Sequence, residues 1–228
     1  YLLKCSVLRQ EKQGDMTLYS PDQSEMNHLT RLTDLTASFY DMIFRTFWLG
    51  HEKDFRQRTI DLMDLNGDES VLDVGCGTGT LTSMIANKVN GRGSIFGIDL
   101  APRMIERARE KAGKQKSQIE YKVASSIAIP FDNESLDMVV TSLMYHQLMS
   151  WEERVKTVRE IRRALKPGGG YVAAEFTKPT VRNLWVIHDS LIRKIPFFGP
   201  ELIEENGFHV LQKVQMGYGV TIISARKA

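Results

Sequence analysis

The sequence predicts an α/β fold with a doubly wound, seven-stranded sheet that is mostly parallel and ends in an antiparallel C-terminal hairpin. From Ser70 onward, short apolar runs alternate with helical patterns, which is typical of a parallel sheet covered by helices on both faces. A glycine-rich turn follows the first apolar run. The last two strand-like segments, Phe208 to Gln215 and Gly219 to Ala225, have a connection so short that they must pair antiparallel.

Composition narrows the functional class. The length of 228 residues, with 42% hydrophobic and 25% charged residues, is ordinary for one soluble globular domain. A net charge of +2 gives no electrostatic case for nucleic acid. No apolar run reaches the length of a bilayer span. Cys5 and Cys76 are the only cysteines, so we expect a reducing, cytoplasmic compartment. From the charge and the apolar runs we expect no nucleic-acid partner and no transmembrane segment.

The first 68 residues are predicted to precede the sheet. Tyr1 to about Thr30 lacks a clear period, so we expect loop or poorly ordered chain there, with at most one short helix. Apolar residues recur at helical spacing from Arg31 to Gly50. A second amphipathic helix ends at the turn signal Asn66-Gly67-Asp68. We predict that both helices form a lid on a core of residues 69–228, within a single domain.

The core elements follow in chain order. Apolar runs predict strands before the final hairpin at Val71–Val74, Ile95–Leu100, Ile119–Ala124, Leu136–Leu143 and Tyr171–Phe176. Helical spacing between them predicts helices that start near Leu81, Pro102 and Trp151. The run Lys166–Gly170 should break the last of these helices sharply. A short helix from Glu201 should stop at Gly207.

The predicted site is organised around the turn that follows the first strand. Glycines at 75, 77 and 79 allow backbone to approach a ligand closely, and the next helix starts with unpaired N–H groups. Thr80 stands where a dinucleotide fingerprint needs its third glycine, and no P-loop signature follows. Asp99, at the tip of the second strand, can accept hydrogen bonds from both ribose hydroxyls. These features indicate a nucleoside ligand without a diphosphate.

Four segments, in this order along the chain, resemble the motifs of class I S-adenosylmethionine (SAM)-dependent methyltransferases. These segments are Val71–Thr80, Gly97–Met104, Ile129–Asp137 and Leu165–Gly170. Within that superfamily the chain looks most like the small-molecule group that includes the ubiquinone/menaquinone C-methyltransferases. Glu175–Pro179 and Gly217–Val220 carry this second likeness. The resemblance implies a Rossmann-like fold, SAM as the methyl donor and S-adenosylhomocysteine as the product.

The resemblance also implies how SAM would be held. Asp73 would lie near the amino group of SAM and Asp99 on its ribose. The methionine part would contact the glycine turn, through Gly75, Cys76, Gly77, Gly79 and Thr80. Adenine would lie against Leu100 and Met104, with its edge at Ser125, Ser126 and Ile127. The remaining implied contacts are Thr141 and Ser142, at the end of the fourth strand, and Tyr40, in an N-terminal helix that closes over SAM.

Two residues are candidates for catalysis, His146 and Tyr40. His146 follows the fourth strand, where ligands of open α/β sheets bind. It is either a general base or a histidine that lines the pocket. Glu175 either faces the substrate or holds a structural partner. Cys76 is expected to be a small buried residue rather than a reactive thiol. The scattered histidines lack metal-ligand spacing, so we predict no metal site.

The predicted function is transfer of the SAM methyl group to a small or lipid-like acceptor. Apolar N-terminal helices and Phe197-Phe198 suggest a quinone-like ring or a phospholipid amine. Two alternatives stay open: a SAM-binding, methyltransferase-like protein without turnover, and a nicotinamide-dependent oxidoreductase, which Thr80 and the hairpin disfavour. The protein is expected to be a monomer or a homodimer, and peripheral membrane contact stays open.

Overall fold

The computed structural model describes residues 10–13, 16–19, 51–89, 92–115, 118–148, 150–177, 199–216 and 219–228. The predicted helix at 31–50, with Tyr40, lies outside these residues, as does Phe197-Phe198. Strands β1 (Gln10–Gln13) and β2 (Met16–Tyr19) pair antiparallel in a separate two-stranded sheet. The expectation of loop or helix was therefore wrong here. The sequence does contain a hairpin signal, the Gly-Asp dipeptide between these strands.

The main sheet has seven strands, as predicted. In chain order they are β3 (Ser70–Val74), β4 (Ser94–Asp99), β5 (Ile119–Val123), β6 (Leu136–Ser142), β7 (Leu165–Phe176), β8 (Phe208–Met216) and β9 (Val220–Lys227). Their order across the sheet is β5-β4-β3-β6-β7-β9-β8. Strands β3 to β7 run parallel to one another, whereas β9 is antiparallel to both β7 and β8. The predicted fold class is confirmed, and β3 lies inside the sheet between β4 and β6.

Helices cover both faces of this sheet. They are α1 (Glu52–Asp61), α2 (Thr80–Val89), α3 (Pro102–Gln115), α4 (Trp151–Ala164) and α5 (Pro200–Glu204). Helices α1 and α2 pack on one face through Phe55 and Ile85, against Val71 and Val140. Helices α4 and α5 pack on the other face, against alternate residues of the same strands. None of the described helices is long and apolar enough to cross a membrane.

Two element boundaries differ from the sequence prediction. Helix α1 ends at Asp61 rather than near Asn66, because the N–H of Met63 turns back to the carbonyl of Ile60 and Asp64 adopts a positive φ of 52°. Strand β7 begins at Leu165, so it includes the run Lys166–Gly170 that was predicted only as a break. Leu136 still pairs with Leu165, and the ladder is irregular before Met138 pairs with Gly170. The glycines therefore form a bulged start of the strand.

Candidate functional site

The glycine turn joins β3 to α2 at the carboxyl edge of the parallel strands. Gly75, Gly77 and Gly79 have φ angles of 74°, 54° and 73°, a left-handed conformation that side chains other than glycine rarely adopt. The N–H groups of Gly75 and Cys76 both donate to the carbonyl of Ile98, over 2.8 and 3.0 Å. These bonds attach the turn to the end of β4.

The three glycines differ in the space around them. A Cβ at Gly75 would overlap the side chain of Met144, and a Cβ at Gly79 would overlap the hydroxyl of Tyr121. A Cβ at Gly77 would meet no atom of the described residues within 4 Å. Gly75 and Gly79 thus serve the packing of the protein itself. Gly77 presents its backbone to an open space.

Asp99 ties the turn to the next helix. Its Oδ2 atom accepts a hydrogen bond from the N–H of Gly77, and its Oδ1 atom accepts one from the N–H of Ala101, both at 2.9 Å. Burial raises the pKa of Asp99, and these two N–H groups oppose that shift. A carboxylate has about four acceptor positions. Each oxygen therefore keeps capacity for a hydroxyl of a ligand.

Asp73 has a carboxylate oxygen that meets no hydrogen-bond partner in the described part of the chain. The residue is 1% exposed, and its Oδ2 atom accepts a 2.6 Å hydrogen bond from the hydroxyl of Thr82. Its Oδ1 atom is buried without a hydrogen bond from the described residues. Burial raises the pKa of Asp73 to about 6, while Thr82 and the charge of Arg56 lower it. A buried acceptor of this kind is unfavourable unless a ligand donates to it.

Asp73 also lines a recess of about 40 Å³ between α1, the glycine turn and the end of β6. Its lining consists of Arg56, Asp73, Gly75, Cys76, Gly77, Thr78, Thr80, Leu81, Ser142 and Leu143. The structure thus brings together six residues predicted for the site: Asp73, Gly75, Cys76, Gly77, Thr80 and Ser142. Burial raises the pKa of Cys76 well above its usual value, as expected for a buried thiol that is not reactive.

Sequence reasoning missed Arg56. This cation lies on α1, next to the buried Phe55, and it lines the recess together with Asp73. Its Nε atom is also 3.0 Å from a carboxylate oxygen of Glu52. The apolar spacing of α1 could have shown that the neighbour of Phe55 lies at the edge of the buried face. It could not show which part of the core that edge meets.

A larger cavity of about 310 Å³ lies at the opposite edge of the sheet, beside Met63, Met138 and Arg226. The described residues contain five buried side-chain atoms without a hydrogen-bond partner, and none of them belongs to a residue lining this cavity. Ligands of open α/β sheets bind at the carboxyl ends of the strands. The small recess is therefore the better candidate site, despite its size.

The predicted adenine side lies at the ends of β4 and β5. The N–H of Ala124 donates to the carbonyl of Asp99 at 3.1 Å, which holds the turn of Ser125, Ser126 and Ile127 next to that strand end. The hydroxyl of Ser126 is 2.9 Å from that of Thr157 on α4, and the N–H of Ile127 donates to the hydroxyl of Ser125. Leu100 is half-buried and Met104 is buried. Leu100 follows Asp99 directly, and Met104 lies in the first turn of α3.

The end of β6 carries the remaining predicted residues. Thr141 is fully buried, and its hydroxyl lies 3.0 Å from that of Tyr171, which in turn lies 3.0 Å from that of Tyr145. His146 follows in a short 3-10 turn, Tyr145–Gln147, with its ring edge-on to Phe176 at 5.2 Å. Burial and the charge of Arg154 lower the pKa of His146 to about 4. The imidazole is therefore neutral at pH 7. Within the described residues, no group of His, Cys, Asp and Glu side chains could hold a metal ion.

Comparisons with known proteins show which sequences and folds this chain is similar to. Residues 71–169 match a family described as a methyltransferase domain. The chain is 36% identical over 147 residues to the ubiquinone/menaquinone biosynthesis C-methyltransferase UbiE of Geobacter sp. (strain M21), covering 64% of this chain and 61% of that protein. It is 29% identical over 164 residues to the demethylmenaquinone methyltransferase of Thermus thermophilus, covering 72% and 73%. The chain thus spans about three-fifths of the length of the first of these relatives.

Solved structures share the fold at low identity. A SAM-dependent methyltransferase from Aquifex aeolicus superposes with a TM-score of 0.62 at 19% identity, covering 92% of this chain and all of that one. Geranyl diphosphate C-methyltransferase from Streptomyces coelicolor, crystallised with Mg²⁺, geranyl diphosphate and S-adenosylhomocysteine, gives 0.64 at 14% identity, covering 78% and 79%. At these identities the likeness concerns the fold alone.

Proposed function

We propose that the chain is a class I SAM-dependent methyltransferase and that it transfers the SAM methyl group to a small, quinone-like acceptor. The observation that carries the proposal is the buried oxygen of Asp73, which finds no partner among the described residues, on the same recess as Gly77. An ammonium group of a ligand is the donor that such an oxygen needs. The relatives named for ubiquinone or menaquinone methylation support the choice of acceptor.

The described residues fit SAM in three places. Arg56 and Asp73 lie on the same recess with opposite charges, which suits the carboxylate and ammonium of an amino acid. Asp99 has acceptor capacity for the two ribose hydroxyls. The turn of residues 125–127 lies where the adenine edge would follow the ribose. We therefore propose that the recess holds the amino-acid end of SAM and that the rest of the molecule extends across Gly77.

Bound SAM supplies a methyl group on a positively charged sulfur, which is already strongly electrophilic. The task left to the chain is to align the acceptor with this methyl group and to exclude water. We assign the acceptor side to the end of β6 and the turn that carries His146. At pH 7 its imidazole is neutral, with a pKa of about 4. His146 then lines the pocket as a hydrogen-bonding partner for a quinol hydroxyl rather than as a strong base.

The remaining assignments are part of the same proposal. Helix α1 contributes Arg56 to the recess, which supports a lid role for the segment before residue 69. Tyr40, outside the described residues, stays a candidate for that lid. A cytoplasmic location and the absence of a nucleic-acid partner rest on the composition of the chain. A monomeric or homodimeric state is carried over as a prediction. Nicotinamide-dependent oxidation is not favoured, and neither is SAM binding without turnover.

Calorimetry followed by an activity assay tests the proposal. SAM and S-adenosylhomocysteine should bind with micromolar affinity, whereas NAD should not bind. Methyl transfer from radiolabelled SAM should then be measured over a panel of quinols, phospholipids and amines, with quinols expected to react best. Binding of NAD without SAM would overturn the cofactor assignment. Binding of SAM without transfer to any quinol would overturn the proposed acceptor.

A further inference from the structure

The chain makes an unusual reversal where β6 ends. Leu143 has a φ of 53°, a left-handed conformation that is rare for a residue with a branched side chain. Its N–H donates to the carbonyl of Ala174 on β7, at 2.8 Å. Conformations of this kind persist only where the surroundings fix them, and they cluster at functional sites. We call the segment from Leu143 to Leu148 the His146 turn.

A buried carboxylate holds the start of the His146 turn. Glu175 is 1% exposed, and its Oε1 atom accepts hydrogen bonds from the N–H groups of Met144 and Tyr145, at 2.8 and 3.1 Å. Burial raises the pKa of Glu175 to about 7, while these N–H groups and the charge of Arg154 lower it. A buried carboxylate is unfavourable without such partners. The two N–H groups would be unsatisfied without the carboxylate.

A buried guanidinium holds the other end. Arg154 on α4 is 1% exposed, and its Nη2 atom donates to the carbonyl of Leu148 at 3.2 Å. Burial lowers the pKa of Arg154, whereas the charge of Glu175 raises it. Helix α4 is itself fixed at its start, where Ser150 and Glu153 exchange hydrogen bonds in a capping box. The His146 turn is thus held at both ends by buried groups of opposite charge.

The held segment faces the glycine turn. Met144 packs against Gly75, and Leu143 lines the recess beside Asp73. His146, in the middle of the segment, packs its ring against Phe176, the neighbour of Glu175 in β7. The position of the imidazole therefore depends on whether the two ends of the segment stay in place.

We infer that Glu175 and Arg154 are positioning residues that together fix the His146 turn, and with it the acceptor side of the site. The effect on the acceptor rests on the proposed function. The way in which the two residues hold the turn does not depend on it. Neither side chain needs to touch substrate. Their effect is transmitted through the backbone of Met144, Tyr145 and Leu148. The sequence left two roles open for Glu175, facing the substrate or holding a structural partner. We assign the second of these to it.

Two substitutions at Glu175 separate the effect of its hydrogen-bond acceptor from the effect of its charge. Glu175→Gln keeps a side-chain oxygen for the two N–H groups but removes the charge. Glu175→Met has a similar size but offers no acceptor. Histidine NMR between pH 8 and 5.5 reads the outcome, with His146→Gln identifying the signal among the five histidines. The wild type and Glu175→Gln should show no titration of His146 in this range. In Glu175→Met, the ring should leave its half-buried position beside Phe176 and titrate near pH 6.5.

Kinetics give a second readout. In Glu175→Met, the KM for the acceptor should rise at least tenfold while the Kd for SAM changes less than threefold, and Glu175→Gln should stay within threefold of wild type in both. The exposed Glu152→Gln on α4 is the surface control. If Glu175→Met does not fold, Arg154→Lys replaces it, because lysine keeps the charge but lacks the planar donor that reaches Leu148. A partial shift of the His146 titration and a raised acceptor KM are then expected.

The outcomes are distinguishable. A folded Glu175→Met or Arg154→Lys protein with a lowered Tm, an unchanged His146 titration and an unchanged acceptor KM would overturn the inference, since the two residues would then serve stability alone. If the wild type transfers no methyl group to any acceptor, the proposed function fails. The NMR comparison would still decide whether the two buried charges position His146.

Discussion

Gly75 packs directly against Met144, so that a Cβ at residue 75 would overlap the Cγ atom of Met144 and lie 2.9 Å from its Cβ atom. This contact joins the two halves of the candidate site. Gly75 belongs to the turn after β3, which is assigned to the methyl donor. Met144 belongs to the turn after β6, which is assigned to the acceptor. A change on one side is therefore felt on the other.

Gly75→Ala should weaken SAM binding at least tenfold. The φ of 74° at this position is strained for alanine, and Met144 would have to move away from the turn. Calorimetry with SAM measures the loss. Gly113→Ala in α3 is the matched control, because a Cβ there meets nothing within 4 Å among the described residues. The control should keep its SAM affinity and gain about 0.5–1 kcal/mol in stability. Equal SAM affinity in both variants would contradict the assigned packing.

Asp99→Ala should weaken SAM binding by about 1–3 kcal/mol, because charge-assisted hydrogen bonds to the ribose would be lost. The N–H groups of Gly77 and Ala101 would also lose their acceptor. Asp137→Asn is the control at the other edge of the sheet, where the carboxylate binds the N–H of Ser70 and the ammonium of Lys166. It should lower stability without changing SAM affinity. Unchanged affinity in Asp99→Ala would remove this residue from the site.

Asp73 should make SAM binding and stability respond to pH in opposite ways. Its folded pKa of about 6 lies above its ordinary value of 3.8. The ionised form is needed to bind an ammonium, so SAM affinity should fall as pH drops from 7 to 5. For the protein without ligand the sign is reversed. The folded state holds the proton more tightly than the unfolded state, so this residue costs stability as pH rises from about 4 through 6.

Asp73→Asn separates these effects. At pH 7 the variant should be more stable than the wild type by about 1–3 kcal/mol in the absence of SAM, because the uncharged amide avoids the burial of a charge. Urea unfolding measures this gain. The variant should bind SAM at least tenfold more weakly, with little pH dependence between pH 5 and 7. A variant that binds SAM as tightly as the wild type would show that Asp73 does not meet the ligand.

Asp99 could be predicted as a site residue from the sequence because strand, glycine turn and following acid are local patterns with fixed spacing. The seven strands were found for the same reason, since their apolar runs are short and bounded by turns. Arg56 and Arg154 could not be assigned, because each lies on an amphipathic helix whose rotation is set only by docking. Glu175 was noticed, but its two N–H partners lie 31 and 30 residues earlier in the chain. Contacts of that separation leave no mark in a single sequence.

Arg56→Gln gives the most specific test of the amino-acid end of the site. Arg56 lines the recess, whereas Arg58 on the same helix is exposed, so Arg58→Gln is the matched control. If Arg56 binds the carboxylate of SAM, Arg56→Gln should weaken SAM and S-adenosylhomocysteine at least tenfold, because a charge-assisted hydrogen bond is lost. Adenosine lacks the amino-acid group, so its affinity should not change. Calorimetry with all three ligands decides the matter. Equal weakening of adenosine would mean that the substitution disturbs the whole site, and unchanged SAM affinity would assign the carboxylate to another residue.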